Sequence, residues 1–195
     1  MNEQLIAELA ALPGWCDTTK MRMLYDTIIE RKITYAVEIG VYGGRSLFPM
    51  AFAMKQTNGL VIGIDPWDYD SAVQQGYDHI NEWAKTVDFD ALYNNALVFC
   101  NAHELTQWCA IYRTDSRWAH RWLADEIELL HIDGNHGAAA VLEDVNLYLP
   151  KVVSGGLIWF DDMDWPGVSI AAGHAVELGC RIYRDLGNNR ILEKL

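Results

Sequence analysis

Basic residues are scarce. The chain carries 15 Lys and Arg against 27 Asp and Glu, a formal net charge of -12. That excludes nucleic acid as the main partner, because phosphate binding needs a Lys/Arg surface. An anionic membrane surface is excluded on the same ground, and no apolar run approaches the length of a membrane span. A basic n-region is missing from MNEQLIAELAALPGW, which reads as a short helix ending before Pro13-Gly14 and not as a signal peptide. The four cysteines, Cys16, Cys100, Cys109 and Cys180, form no CxxC pair. This argues against a zinc site and favours reduced thiols in a cytoplasmic protein. Repeats, low-complexity tracts and linkers are also absent, so 195 residues with 51% hydrophobic content fit one domain, 1–195, with a sizeable core.

What is present alternates between helix and strand. DTTKMRMLYDTIIERK places Met21, Leu24, Tyr25, Ile28 and Ile29 at helical spacing, with Asp17 or Thr18 as N-cap. TYAVEIG, GLVIGID, ALVFCN, IELLHID and GGLIWFD read as five strands. Between them lie a buried helix with Pro49 in or near its first turn, a polar helical segment over 69–86, and one helix within 103–124. The helix HGAAAVLEDVNLYLP stops at Pro150, and another starts near Pro166 and ends at Gly179. CRIYRDLGNNRILEKL reads as a hairpin around Gly187-Asn188-Asn189. Five strands separated by helices imply an α/β fold with a parallel sheet, and a terminal hairpin makes one late strand antiparallel.

In such sheets ligands bind at the carboxyl ends of the strands. The first strand ends in VEIGVYGGRS, an ExGxxxGxS pattern of Glu38, Gly40, Gly44 and Ser46. Gly40 lets the backbone turn tightly against a ligand. Position 42 is Tyr, so the dinucleotide fingerprint GxGxxG is absent and a nicotinamide cofactor is disfavoured. Asp65 closes the second strand in GIDPW, where a carboxylate can accept both hydroxyls of a ribose; the plainer reading is a cap before Pro66. Together these strand ends favour an adenosine ligand.

On GWC, VEIGVYGGRS, GIDPW, LLHIDGNHGAAAVLEDVNLYLPKVVSGGLIWFDD and the closing hairpin, the chain resembles the class I S-adenosylmethionine-dependent methyltransferases. Within them it is similar to the metal-dependent O-methyltransferases of the macrocin or mycinamicin type. The resemblance runs from about Gly14 to the C-terminus. It implies a Rossmann-like seven-stranded sheet flanked by helices, with the last strand antiparallel. It also implies that Glu38 and Gly40 meet the methionine part of the cofactor and that Asp65 holds the ribose. Trp67 and the turn at Asn101, Ala102 and His103 would border the adenine, and Trp15, in an N-terminal extension over 1–16, would close over the site.

The run Leu157 to Phe160 ends in Asp161 and Asp162, and Asp133 closes the neighbouring strand. Three converging carboxylates need raised pKa values or a cation among them. Oxygen ligands suit a hard ion such as Mg²⁺, so Asp133, Asp161 and Asp162 are the candidate metal ligands. Both Asp161 and Asp162 can reach it only if the chain leaves the strand between them. Such an ion would orient an acceptor hydroxyl and lower its pKa. His136, three residues after Asp133, matches the position of a base in the family and has a fitting pKa range. Alternatively, Asp161 caps a turn, Asp164 caps the helix near Pro166, and His136 merely begins a helix. His131, inside an apolar strand, reads as a core residue. The segment DYDSAVQQGYDHINEWAKTVDFD, with Tyr69, Tyr77 and Trp83, reads as a lid over a small-molecule acceptor, a sugar or an aromatic. The leading expectation is therefore a Mg²⁺-assisted O-methyltransferase, with a homodimer compatible. The alternatives are a metal-independent N- or O-methyltransferase, a nicotinamide-dependent oxidoreductase, and a non-catalytic partner that keeps the fold.

Overall fold

The computed structural model describes residues 1–74 and 76–195; Gln75, in the expected lid, lies outside the described residues. Seven strands form one sheet: β1 (Tyr35–Ile39), β2 (Leu60–Asp65), β3 (Cys109–Arg113), β4 (Ile127–Ile132), β5 (Val152–Phe160), β6 (Cys180–Asp185) and β7 (Arg190–Lys194). Their order is β3-β2-β1-β4-β5-β7-β6. β7 is antiparallel to both neighbours, β5 and β6, while β1 to β5 pair in parallel. This is the Rossmann-like seven-stranded sheet with an antiparallel closing strand that the resemblance implies. Strand order reverses between β1 and β4, which opens a crevice above their carboxyl ends.

Alternate residues of each strand face opposite layers. Val37, Ile62, Leu130 and Ile158 belong to one core, and Ala36, Val61, Leu129 and Leu157 to the other. The second core is covered by α1 (Glu3–Ala10), α2 (Thr18–Arg31), α3 (Leu47–Thr57) and α6 (Phe89–Ala102). The first is covered by α7 (Ser116–Ala119), α8 (Ala138–Tyr148) and α9 (Pro166–Glu177). Each fully buried Leu, Ile or Phe contributes about 1.5–3 kcal/mol, so two continuous cores fix the sheet from both sides. Asp17 caps α2 by accepting from the Lys20 amide at 2.8 Å. α2 ends at Lys32, held in the left-handed region at φ 54. That conformation costs a non-glycine residue about 1–2 kcal/mol, partly offset by glycine's greater entropy loss on folding. Lys32→Gly is expected to stabilise the protein by about 0.5–1 kcal/mol, a rise of about 2–3 °C in Tm read by calorimetry.

Three expectations need correction. ALVFCN is not a strand but the second half of α6, capped by Asp88. Leu92, Ala96 and Cys100 are buried at helical spacing, while Val98 is exposed, so the apolar run has one wet face. The strand in this part of the chain is β3, short and only half-buried. The 69–86 segment holds two short helices, α4 (Tyr69–Ala72) and α5 (Asp78–Ala84). Asp164 caps nothing: α9 has Trp165 at its N-cap position, without a side-chain cap bond.

Candidate active site

A cavity of about 1020 Å³ lies over the carboxyl ends of β1, β2, β4 and β5. Its floor is the turn after β1. Gly40 has φ 89, and a Cβ there would lie 2.1 Å from the Asp133 carbonyl oxygen. The turns after β1 and β4 can touch only because this residue has no side chain. Asp65 holds the same turn from the other side. Its Oδ2 accepts the amides of Val41 (3.0 Å) and Tyr42 (2.9 Å), and its Oδ1 accepts that of Trp67 (2.7 Å). Burial raises the Asp65 pKa against these bonds. The carboxylate thus clamps the floor as well as lining the cavity.

Trp15, Glu38, Gly40, Ser46, Asp65, Asp133 and His136 lie at or directly beneath this crevice, as do Asp161 and Asp162. Gly44 sits in the turn with φ 86 but faces Phe48, outside the cavity wall. Trp67 is buried away from the cavity; its indole N–H donates to the Tyr42 carbonyl at 2.8 Å and its ring packs on Tyr93. It buttresses the floor and does not border the cavity. Asn101 and Ala102 end α6, before β3 begins, so they lie at the amino end of that strand, away from the site. The place the resemblance implies for them, beside the adenine, needs a strand ending at Asn101, and ALVFCN is helical. The turn that does line the cavity there is Asp115 to Arg117, after β3.

Glu38 is fully buried and its Oε1 lies 2.8 Å from His131 Nδ1. Burial pushes Glu38 up to about 8 and His131 down to about 3. At neutral pH the two form an uncharged, hydrogen-bonded pair. Glu38 Oε2 is buried with no partner among the described residues, an acceptor left open for a cationic ligand group. His131 is a core residue as expected, though a paired one.

The carboxylates divide into two groups. Asp133 Oδ2 lies 3.2 Å from the Lys20 ammonium, which also bonds Asp161. Asp162 departs at φ 55, so the chain does leave the strand at this point. Its Oδ2 lies 3.1 Å from His136 Nε2, off the line of a good hydrogen bond, and it also accepts from Asn188. His136 holds the Asp162 carboxyl below the usual range. Asp133, His136 and Asp162 each have a ligand atom within 4.8 Å of the others, so a candidate cation site exists, but a cation there would have to share Asp133 with the Lys20 ammonium. The expected all-oxygen set does not fit Mg²⁺ as arranged, because Asp161 is committed to an ammonium and an imidazole stands in its place.

The lid closes the cavity from above. Asn135 donates to the carbonyls of Ser71 and Val73. Gln74 is buried, with Nε2 3.1 Å from His136 Nδ1, and Asn81 clamps its backbone. His136 stacks on Trp165 at 4.6 Å, and Tyr77 packs on that indole. Trp15, largely exposed, meets Tyr42 and Trp83 at the rim. Burial pushes the Cys16 thiol up to about 12, which removes it as a nucleophile.

A sequence profile described as a methyltransferase domain matches residues 37–163. That span begins in β1 and takes in every strand end around the cavity through Asp162. The chain belongs to this methyltransferase family. Among solved structures, the methyltransferase is similar to the O-methyltransferase TomG of Streptomyces achromogenes, solved with S-adenosylmethionine. The TM-score is 0.71 at 12% identity, over 100% of this chain and 92% of that one. Podospora anserina PaMTH1, bound to S-adenosylhomocysteine, gives 0.69 at 12% identity over 100% and 89%. CalS11, a TDP-rhamnose 3'-O-methyltransferase, gives 0.57 at 20% identity over 98% and 80%. At these identities the likenesses establish the fold. No curated protein matches the sequence significantly. The methyltransferase uses S-adenosylmethionine, and its cavity fits that cofactor: a side-chain-free floor at Gly40, an open buried acceptor on Glu38, and Asp65 at the end of β2. No helix among the described residues is long and apolar enough to cross a membrane.

Sequence reasoning missed Lys20 and Gln74. Lys20 left a trace, since it lies in line with Leu24 and Ile28 on the buried face of α2, where a lysine needs a reason. Gln74 left none.

Proposed function

We propose that this methyltransferase acts on the hydroxyl of a small molecule, a sugar or natural product of the kind its macrocin- and mycinamicin-type resemblance suggests. The observation that carries the reading is His136: an imidazole at the cavity wall, beside a carboxylate and stacked on an aromatic face. The cofactor, when bound, supplies a methyl group already activated on a sulfonium. Glu38 and Gly40 would hold its amino acid end, Ser46 the floor beside it, and Asp65 its ribose. Residues 1–16, through Trp15, close the rim.

The chain's own work is on the acceptor. With the bound cofactor supplying the methyl group and its sulfur keeping the bonding pair, the acceptor's hydroxyl proton would pass to His136. Nδ1 is the nitrogen that receives it, because Nε2 faces Asp162. Asp162 steadies the imidazolium that results. Gln74 covers Nδ1 in the closed lid and has to yield its place to the acceptor hydroxyl. Trp165, with Tyr77 packed against it, gives the cavity an apolar wall suited to a sugar or aromatic face.

The test uses tritiated S-adenosylmethionine against panels of hydroxylated and amino acceptors. Label is expected on oxygen, and His136→Gln should lower kcat by about 10²–10⁴-fold with S-adenosylhomocysteine affinity unchanged. Label on nitrogen, or full activity in His136→Gln, would contradict the reading.

Glu38 makes the free protein sensitive to pH. Its folded pKa, about 8, exceeds the ordinary 4.5, so its contribution to stability is complete at low pH and is lost as pH rises towards 8. Glu38→Gln should therefore melt above wild type at pH 8 and level with it at pH 4.5. The same variant should bind S-adenosylhomocysteine more weakly, because it offers the ligand's ammonium no carboxylate.

A further inference from the structure

Lys20 is 7% exposed in the first turn of α2, on the face that otherwise buries Met21, Leu24 and Ile28. Burying a charged ammonium is costly unless it is paired, and this one is paired twice, with Asp133 at the end of β4 and Asp161 just past β5. These are two of the three carboxylates that sequence reasoning gives to a metal. Among the described residues no third side chain or carbonyl accepts from Lys20, yet an ammonium has three N–H donors, and Lys20 is part of the cavity wall. One donor therefore remains for a ligand oxygen in the cavity. The third carboxylate, Asp162, is turned to His136 and Asn188.

We propose that Lys20 stands in the place of a divalent cation. It gathers Asp133 and Asp161 as a metal would, and it offers an N–H to the acceptor oxygen, so that methyl transfer proceeds without Mg²⁺. A divalent ion could ligate Asp133 and Asp161 together only by expelling the ammonium between them. A buried fixed charge also needs no loading and presents one geometry, whereas a Mg²⁺ ion keeps exchangeable water. The acceptor-binding half of this proposal rests on the O-methyl transfer reading; the charge-substitution half does not.

The experiment tests the charge substitution independently of methyl transfer. Mn²⁺ is titrated into wild type, Lys20→Met and Lys20→Arg, with free ion followed by electron paramagnetic resonance and folding by thermal melts with and without Mn²⁺. S-adenosylhomocysteine binding is measured on the same samples. Wild type and Lys20→Arg should leave Mn²⁺ free up to about 1 mM, whereas Lys20→Met, with its carboxylates uncovered, should bind it about tenfold more tightly or better and gain thermal stability from it. Saturable Mn²⁺ binding by wild type at micromolar concentration would overturn the proposal. So would a folded Lys20→Met that binds Mn²⁺ no better than wild type. If Lys20→Met does not fold in buffer, Mn²⁺ should restore its melting transition, and failure to do so counts against the proposal. Loss of S-adenosylhomocysteine binding by wild type would instead sink the methyltransferase reading of the cavity and leave the Mn²⁺ result standing by itself.

Discussion

Gly40→Ala is expected to abolish cofactor binding and to lower Tm by about 10 °C, the equivalent of about 3–5 kcal/mol in a domain of this size. Two effects add. The backbone at φ 89 strains any residue with a side chain, and the new Cβ would sit 2.1 Å from the Asp133 carbonyl oxygen and 2.6 Å from the Gly134 Cα. Both neighbours are backbone atoms of the turn after β4, so no side chain can rotate away. The turns after β1 and β4 must part, and with them Glu38 and Asp133. Gly155→Ala supplies the control. Gly155 has φ 79 but nothing within 4 Å of its added Cβ, so only the conformational penalty of about 1–2 kcal/mol remains. Calorimetry on both variants, with titration of S-adenosylhomocysteine, reads the difference. Equal losses would show that close approach of the two turns is not what Gly40 provides.

Asp65→Ala should have an effect of similar size by another route. The carboxylate accepts three backbone amides, and its removal strands those of Val41, Tyr42 and Trp67. An unsatisfied buried donor costs about 1–3 kcal/mol, and water entering the cavity restores part of that for the two floor amides. A net loss of about 3 kcal/mol is expected, together with a fall in S-adenosylhomocysteine affinity of at least about 100-fold. Asp65→Asn discriminates the clamp from the ribose contact. It keeps one oxygen for the amides of the floor and exchanges the other for a donor. It should therefore recover much of the Tm and little of the affinity. Recovery of both would remove the ribose contact and leave Asp65 as a clamp alone.

The strand ends were legible because their chemistry is local. Glu38 to Ser46, Asp65, Asp133 to His136 and Asp161 to Asp162 each follow an apolar run directly, and the parallel sheet brings such ends together whatever the intervening helices do. Trp67 follows a strand end too, but φ 46 turns its ring inward, and backbone handedness of that kind leaves no mark in composition. Asn101 and Ala102 failed for a different reason. A helix with one buried stripe and a half-buried edge strand both contain short apolar runs, and in ALVFCN the run alone outweighed the spacing of Leu92, Ala96 and Cys100. The partners of the site were the least visible. Lys20 meets Asp133 across 113 positions of sequence, and Gln74 meets His136 across 62. Nothing near a carboxylate announces the distant residue that will neutralise it. Converging anions do require a cation, and for Asp133 and Asp161 it is Lys20 of α2.

Isothermal titration of the wild-type protein with S-adenosylhomocysteine, and in parallel with NAD, tests the reading of this cavity most directly. Saturable one-site binding of S-adenosylhomocysteine with a Kd on the order of micromolar is expected, with no heat from NAD. Silence with S-adenosylhomocysteine at millimolar concentration, or tight binding of NAD in its stead, would contradict it.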